Sequence, residues 1–278
     1  MGIGLLLVAS GAVAGLFGSL LGLGGGILIV PLLTLGFGRP LREAVAVSLV
    51  CVIATSSAAA GAYLRSHLAN LRLGMVLVLF TTIGALVGGV VAFLLPERVL
   101  TALFAMLLAY VAFTMVRRSD PSDTYVPPVG STGSDTVVVG SRLERATAAL
   151  AGPDYAVRRL VPASVASVGA GVLSALLGVG GGAINVPTMH LIMGTSLRVA
   201  AATSNLMIGV TAVASAIIYF LRGAVDPYIA GPTVVGVFVG ASIGSRISGR
   251  IDARILRGLF VLVLVWTAFQ MARRAVGL

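Results

Sequence analysis

Gly22-Leu23-Gly24-Gly25-Gly26-Ile27-Leu28-Ile29-Val30-Pro31 is a helix-breaking run of glycines followed by a short apolar stretch and a proline, and Gly178-Val179-Gly180-Gly181-Gly182-Ala183-Ile184-Asn185-Val186-Pro187 repeats it 156 positions later. Working outward from the two runs, residues 16–118 align with 172–274 without a gap. Leu41-Arg42 falls over Leu197-Arg198, Ser48 over Ser204, Thr55 over Thr211, Gly84 and Gly88 over Gly240 and Gly244, and Arg117-Arg118 over Arg273-Arg274. Chance similarity between apolar stretches does not hold glycines, prolines and arginines in one register, so the chain reads as two homologous repeats.

The surroundings of these runs fix the class. The chain of 278 residues is 58% hydrophobic and 10% charged, against roughly 25% charged residues in a soluble domain, and its mean hydropathy is +1.08. A water-soluble fold is excluded. Gly2–Leu21, Leu71–Leu95, Val99–Val116 and Ile255–Ala272 are continuous apolar runs, long enough as helices to cross most or all of a hydrocarbon core roughly 30 Å thick. Strands of an outer-membrane barrel would alternate apolar and polar residues instead. The expectation is an all-α polytopic membrane protein.

Each repeat reads as an apolar helix, the glycine cluster, a short apolar segment (27–37 and 183–193) and three long helices, near 42–65, 72–95 and 98–117 in the first and 198–221, 228–249 and 254–273 in the second. Ten to fourteen apolar residues are too few to span, so each short segment is expected to form a glycine-broken re-entrant hairpin ending near the middle of the membrane. The division is 1–118 for the first repeat, 119–160 for a linker rich in Ser, Asp, Pro, Gly and Thr, and 161–278 for the second repeat. The first twenty residues lack the basic start of a signal peptide, and their counterpart recurs at 161–177, so they are read as a membrane helix.

All 19 basic residues are arginine, giving a net charge of +10, and they cluster between the apolar runs. That placement suits topology signals and lipid headgroups, with no nucleic-acid partner implied. Arg65, His67 and Arg72 follow the first long helix of repeat one, whereas Arg222 is balanced by Asp226 at the equivalent place in repeat two. After the second long helix the bias reverses: Glu97 stands beside Arg98, but Arg246, Arg250, Arg254 and Arg257 face only Asp252. Because arginine accumulates on the cytoplasmic side, the repeats are expected to be inverted, with the linker in the cytoplasm and the protein in the inner membrane of a bacterial-type cell. Arg273 and Arg274 then fall outside, against the rule.

In lipid, unwound backbone is tolerated only when buried in protein or lining a cavity. Gly24, Gly25, Gly26 and Gly180, Gly181, Gly182 therefore mark a substrate site: they free N–H groups at the start of the short helices, where partial positive charge favours an anion. The bland alternative, close helix packing, is the preferred reading for Gly84, Gly88, Gly240 and Gly244. Ser48, Thr55, Ser204, Asn205 and Thr211 on the long helices, and Asn185 on the second short segment, complete the candidate binding set; Ser56 and Ser57 lie beside them, and any of the hydroxyls can simply bond back to its own helix. His190 is the embedded candidate for proton coupling, and Arg42 and Arg198 are candidate mouth charges, with topology-setting an equal alternative. No cofactor and no metal is expected, because nothing resembles a metal cluster, a nucleophile–base pair or a nucleotide loop. Cys51 is the single cysteine, so a disulfide or thiolate site within the chain is excluded.

The glycine-cluster-to-proline signature in both halves, followed by Ala44–Ser48 and Ala200–Asn205, resembles the TauE/SafE family of sulfite exporters and organosulfonate transporters. The resemblance covers both halves and not the linker. It implies transport of small sulfur-containing anions, such as sulfite or C2–C3 sulfonates, without ATP hydrolysis and without enzymatic activity. Another cargo (thiosulfate, a carboxylate), a channel or a membrane scaffold stays open as an alternative, as do the coupling ion and assembly into a homo-oligomer within the lipid bilayer.

Overall fold

The computed structural model describes residues 2–21, 24–65, 71–117, 160–189, 193, 197–247 and 253–276. Among them every regular element is helical. The first half contains α1 (Gly2–Leu21), α2 (Gly26–Pro31), α3 (Leu41–Arg65), α4 (Leu71–Leu94) and α5 (Glu97–Arg117), and the second half α6 (Leu160–Leu177), α7 (Gly182–Pro187), α8 (Leu197–Leu221), α9 (Pro227–Ile247) and α10 (Ala253–Val276). The six long helices expected from sequence are found within a few residues of their expected bounds; α6 starts at the last residue assigned to the linker. Seven helices, all except α2, α6 and α7, are long and apolar enough to cross a membrane. Leu5, Leu79, Met106, Leu262, Trp266 and Phe269 stand exposed on their outer faces, which suits lipid and not water. The chain is a polytopic helical membrane protein. His190 and the linker lie outside the described residues, as does the Arg198 side chain.

The two short helices owe their length to their ends. Gly25 and Gly181 cap them in the left-handed conformation, with φ of 74° and 76°, which costs an L-residue dearly and glycine nothing. Pro31 ends the regular ladder of α2, because it donates no N–H, and the chain continues as a π-helical turn over Leu32–Gly36. Thr34 Oγ1 donates to the Val30 and Pro31 carbonyls there, at 2.9 and 3.2 Å.

The halves are interlocked. The first helix of each lies along the fourth of the other, α1 with α9 and α6 with α4, while α3 packs on α8 and α5 on α10. Glycines make these approaches: Gly84 and Gly88 set α4 against the backbone of Val168 and Val172, and Gly240 and Gly244 set α9 against the backbone of Ala12 and Leu16. The small-residue packing reading of those four positions is the one observed. The contacts correspond pair by pair at the offset of 156.

One end of the bundle is tied by polar contacts. Arg39, just before α3, meets Asp226, just before α9, at 2.7 Å, and Arg42 donates to the Leu95 carbonyl after α4 at 2.6 Å. Glu97 at the start of α5 accepts from the Leu41 N–H, and Arg274 near the end of α10 donates to the Thr34 carbonyl at 2.7 Å. The start of α3, α5 and α9 and the end of α4, α8 and α10 thus gather at the same rim.

Candidate functional site

At the centre of the molecule the two glycine breaks meet. Gly24, Gly178 and Gly180 share the left-handed backbone of the caps, with φ of 76°, 68° and 80°. Gly26 packs against the Gly178 carbonyl, so closely that a Cβ has no place there. Val52 on α3 and Ile208 on α8, equivalent residues of the two halves, stand between the breaks: each lies near both Gly24 and Gly180.

The side chains around the breaks differ between the halves. Ser48 Oγ donates to the Gly178 carbonyl at 2.7 Å, reaching across to the other half, with its own Gly26 carbonyl at 3.3 Å. Thr55 Oγ1 bonds the Gly24 carbonyl at 2.9 Å, and Ser56 Oγ bonds the Asn205 carbonyl on α8 at 2.6 Å. Ser57 is exposed and bonds back to the Ile53 carbonyl of its own helix, which is the bland reading. In the second half, Thr211 pairs with Thr81 of α4 at 3.1 Å and bonds back to Met207. Ser204 and Asn205 on α8, Asn185 on α7 and Ser174 on α6 are all buried, and among the described residues Ser204 Oγ, Asn205 Nδ2, Asn185 Oδ1 and Ser174 Oγ have no hydrogen-bond partner. Buried polar atoms left this way cost about 1–3 kcal/mol each, so an unpartnered group in a native core asks for an explanation.

The expected glycines, Ser48, Thr55, Asn185 and the α8 pair Ser204 and Asn205 thus lie on the elements that frame one central region, with Thr211 on its α4 side. Arg42 does not: it sits six residues before Ser48, about 9 Å along the helix, where its guanidinium lies 5.8 Å from the Phe93 ring centre. Arg222 lies 5.4 Å from the centre of the same ring, so two cations flank one aromatic ring at the rim. Sequence reasoning missed Ser174, Thr81 and the Arg39–Asp226–Glu97 rim. Ser174 was legible as a departure, since Gly18 stands at its aligned position. The rim pairs join residues with no sequence relation to one another. A separate cleft of about 310 Å³ between α1, α2 and α10, lined by Phe17, Leu28, Leu32, Phe260 and Trp266 among others, is too apolar to hold an anion.

A family model described as Sulfite exporter TauE/SafE matches residues 7–271. The chain is 26% identical over 242 residues to the "Probable membrane transporter protein YunE" of Bacillus subtilis (strain 168), covering 84% of this chain and 85% of that protein. No solved structure matches.

Proposed function

We propose, for a chain that belongs to the TauE/SafE sulfite exporter family, that it carries small sulfur-containing anions such as sulfite or C2–C3 sulfonates across the inner membrane by alternating access around the central glycine breaks. That the protein is a membrane transporter and not an enzyme follows from the family and the relative; the cargo and mechanism are our reading. One observation carries it: two left-handed glycine breaks, one from each half, meet at the centre beside buried hydroxyl and amide groups that lack partners. A sulfite or sulfonate offers oxygens that such donors and the free N–H groups of the short helices can hold. Discontinuous helices near the midplane serve this purpose in secondary transporters.

An inverted pair of repeats is supported by the rim. It gathers the start of α3 with the end of α8, the end of α4 with the start of α9, and the start of α5 with the end of α10. Equivalent helices then run in opposite directions, and each half contributes a re-entrant α1–α2 or α6–α7 hairpin. Arg274 then has a structural role, capping the Thr34 carbonyl, which accounts for its place on the arginine-poor side. Single cysteines replacing Leu68 and Ala224 in a Cys51→Ala background should label from opposite sides of the membrane; labelling from one side rules the inversion out.

The cargo is tested with purified protein and a panel of sulfite, thiosulfate, taurine, isethionate, sulfoacetate and acetate, reading thermal stabilisation in detergent and uptake into proteoliposomes. Selective stabilisation and saturable uptake of a sulfur oxyanion are expected. A response to acetate alone transfers the site to carboxylates, and uptake without saturation makes the protein a channel.

A further inference from the structure

Resting on that reading of the central region as an anion site, we infer that recognition is one-sided: the second half alone supplies the side-chain contacts to the anion, through Ser174, Asn185, Ser204 and Asn205, while Ser48 and Thr55 of the first half act as a structural clasp. The four groups belong to α6, α7 and α8, and each is at least nine-tenths buried, at 1%, 2%, 0% and 3% exposure respectively. Each carries an atom without a partner among the described residues, a donor in Ser174, Ser204 and Asn205 and the acceptor Oδ1 in Asn185. Ser174 and Asn185 flank the left-handed Gly181: a Cβ built there would lie 3.4 Å from the Ser174 Cβ and 3.4 Å from Asn185 Nδ2. α7 packs directly on α8, whose Ser204 is the counterpart of the Ser48 that reaches the opposite break.

The aligned residues of the first half give the comparison its force. Gly18, Ile29 and Leu49 replace Ser174, Asn185 and Asn205, and Ile29 and Leu49 are fully buried apolar side chains. Ser48 is the one polar residue of the first-half set, and its hydroxyl is engaged by the Gly178 carbonyl. The same backbone framework therefore tolerates an apolar set without a ligand. Retaining four unpartnered polar groups in the second half is a standing cost to the empty protein: an oxyanion that accepts from the Ser174 and Ser204 hydroxyls and the Asn205 amide N–H removes it for three of them, and Asn185 Oδ1, an acceptor, takes a hydrogen-bearing group of the ligand, the O–H of bisulfite or the hydroxyl of isethionate.

The test transplants first-half residues into the second half as Asn185→Ile and Asn205→Leu, with Ser204→Ala as a third variant, and reads two quantities in the full-length purified protein. Binding of sulfite and of isethionate, by calorimetry, should weaken about ten-fold or more in each variant, the loss of a hydrogen bond to a charged group. Without added anion, the melting temperature should hold or rise by about 2–4 °C, because an unpartnered group has been removed. Binding within two-fold of the parent protein, or a ligand-free melting temperature lowered by several degrees, overturns the inference and makes these groups structural. If the parent protein binds neither anion, the sulfur-anion reading fails by itself. The melting temperatures still decide: a rise in the Asn variants keeps a ligand-awaiting polar set in the second half, and a fall removes it.

Discussion

Ser48 and Ser204 occupy aligned positions in the two halves, are both fully buried, and do opposite things. The first ties the two glycine breaks together by donating to the Gly178 carbonyl; the second has no partner among the described residues. The contrast extends to Thr55, which holds the Gly24 carbonyl, against Thr211, which turns to Thr81 on another helix. The two halves thus share their backbone geometry at aligned positions, including left-handed Gly24 and Gly25 in one and Gly180 and Gly181 in the other, while their polar side chains differ. A broken helix in a membrane needs that geometry wherever it occurs, whereas the polar side chains around it can differ once one half holds the breaks together.

The largest effect is expected at the glycines, and it too should be uneven. A methyl group at Gly180 would stand 2.5 Å from Ile208 Cγ2 and 2.7 Å from Val52 Cγ1, whereas one at Gly24 meets the same two residues at 3.5 and 3.7 Å. Gly24→Ala carries only the left-handed backbone penalty, about 1–2 kcal/mol. Gly180→Ala adds overpacking, for a total of roughly 2–5 kcal/mol. Thermal unfolding of both variants measures this, and equal losses would mean that the centre is symmetric in packing. Next in size, Ser48→Ala strips the donor from the buried Gly178 carbonyl and should lower stability by about 1–3 kcal/mol, while Ser204→Ala, with no bond to lose and an unpartnered hydroxyl removed, should leave it unchanged or raise it by about 1 kcal/mol. Equal losses from the two serine variants would break the division into clasp and recognition set.

The glycine breaks and their prolines were legible because backbone demands leave their mark on residue type: only glycine takes φ near 75° without strain, and only proline stops a helix by lacking an N–H. The long helices were legible from apolar length. What pairs across the molecule was not. Nothing in the sequence says that Ser48 reaches Gly178 and not only its own Gly26, or that α1 lies along α9, since such contacts depend on three-dimensional packing between segments far apart in the chain. Glu43 lies in the first turn of α3, where a helix start favours negative charge. Yet the carboxylate on the free Leu41 N–H belongs to Glu97 of another helix. Local sequence shows that a helix start favours negative charge, not which residue delivers it.

The smallest effect concerns the rim, where the halves also differ. Arg39 meets both Glu43 at 3.1 Å and Asp226 at 2.7 Å, joining the segment before α3 to the segment before α9. The aligned residues are Thr195 and Asn70, neither of which carries a charge, so this ion pair has no equivalent and ties one end only. Arg39 and Asp226 are each about a third exposed, so Asp226→Asn should lower stability by only about 0.2–1 kcal/mol, less still at high salt. Its larger consequence is for opening. If the pair holds this end shut in the conformation described, a cysteine at Ala224 in the Cys51→Ala background should be modified faster by a water-soluble maleimide when Asp226 is Asn. Added salt should speed the parent toward the variant, because it screens the same contact. An unchanged rate in both cases would leave the ion pair as a loop tether, and the asymmetry of the two halves would then lie in the central polar groups alone.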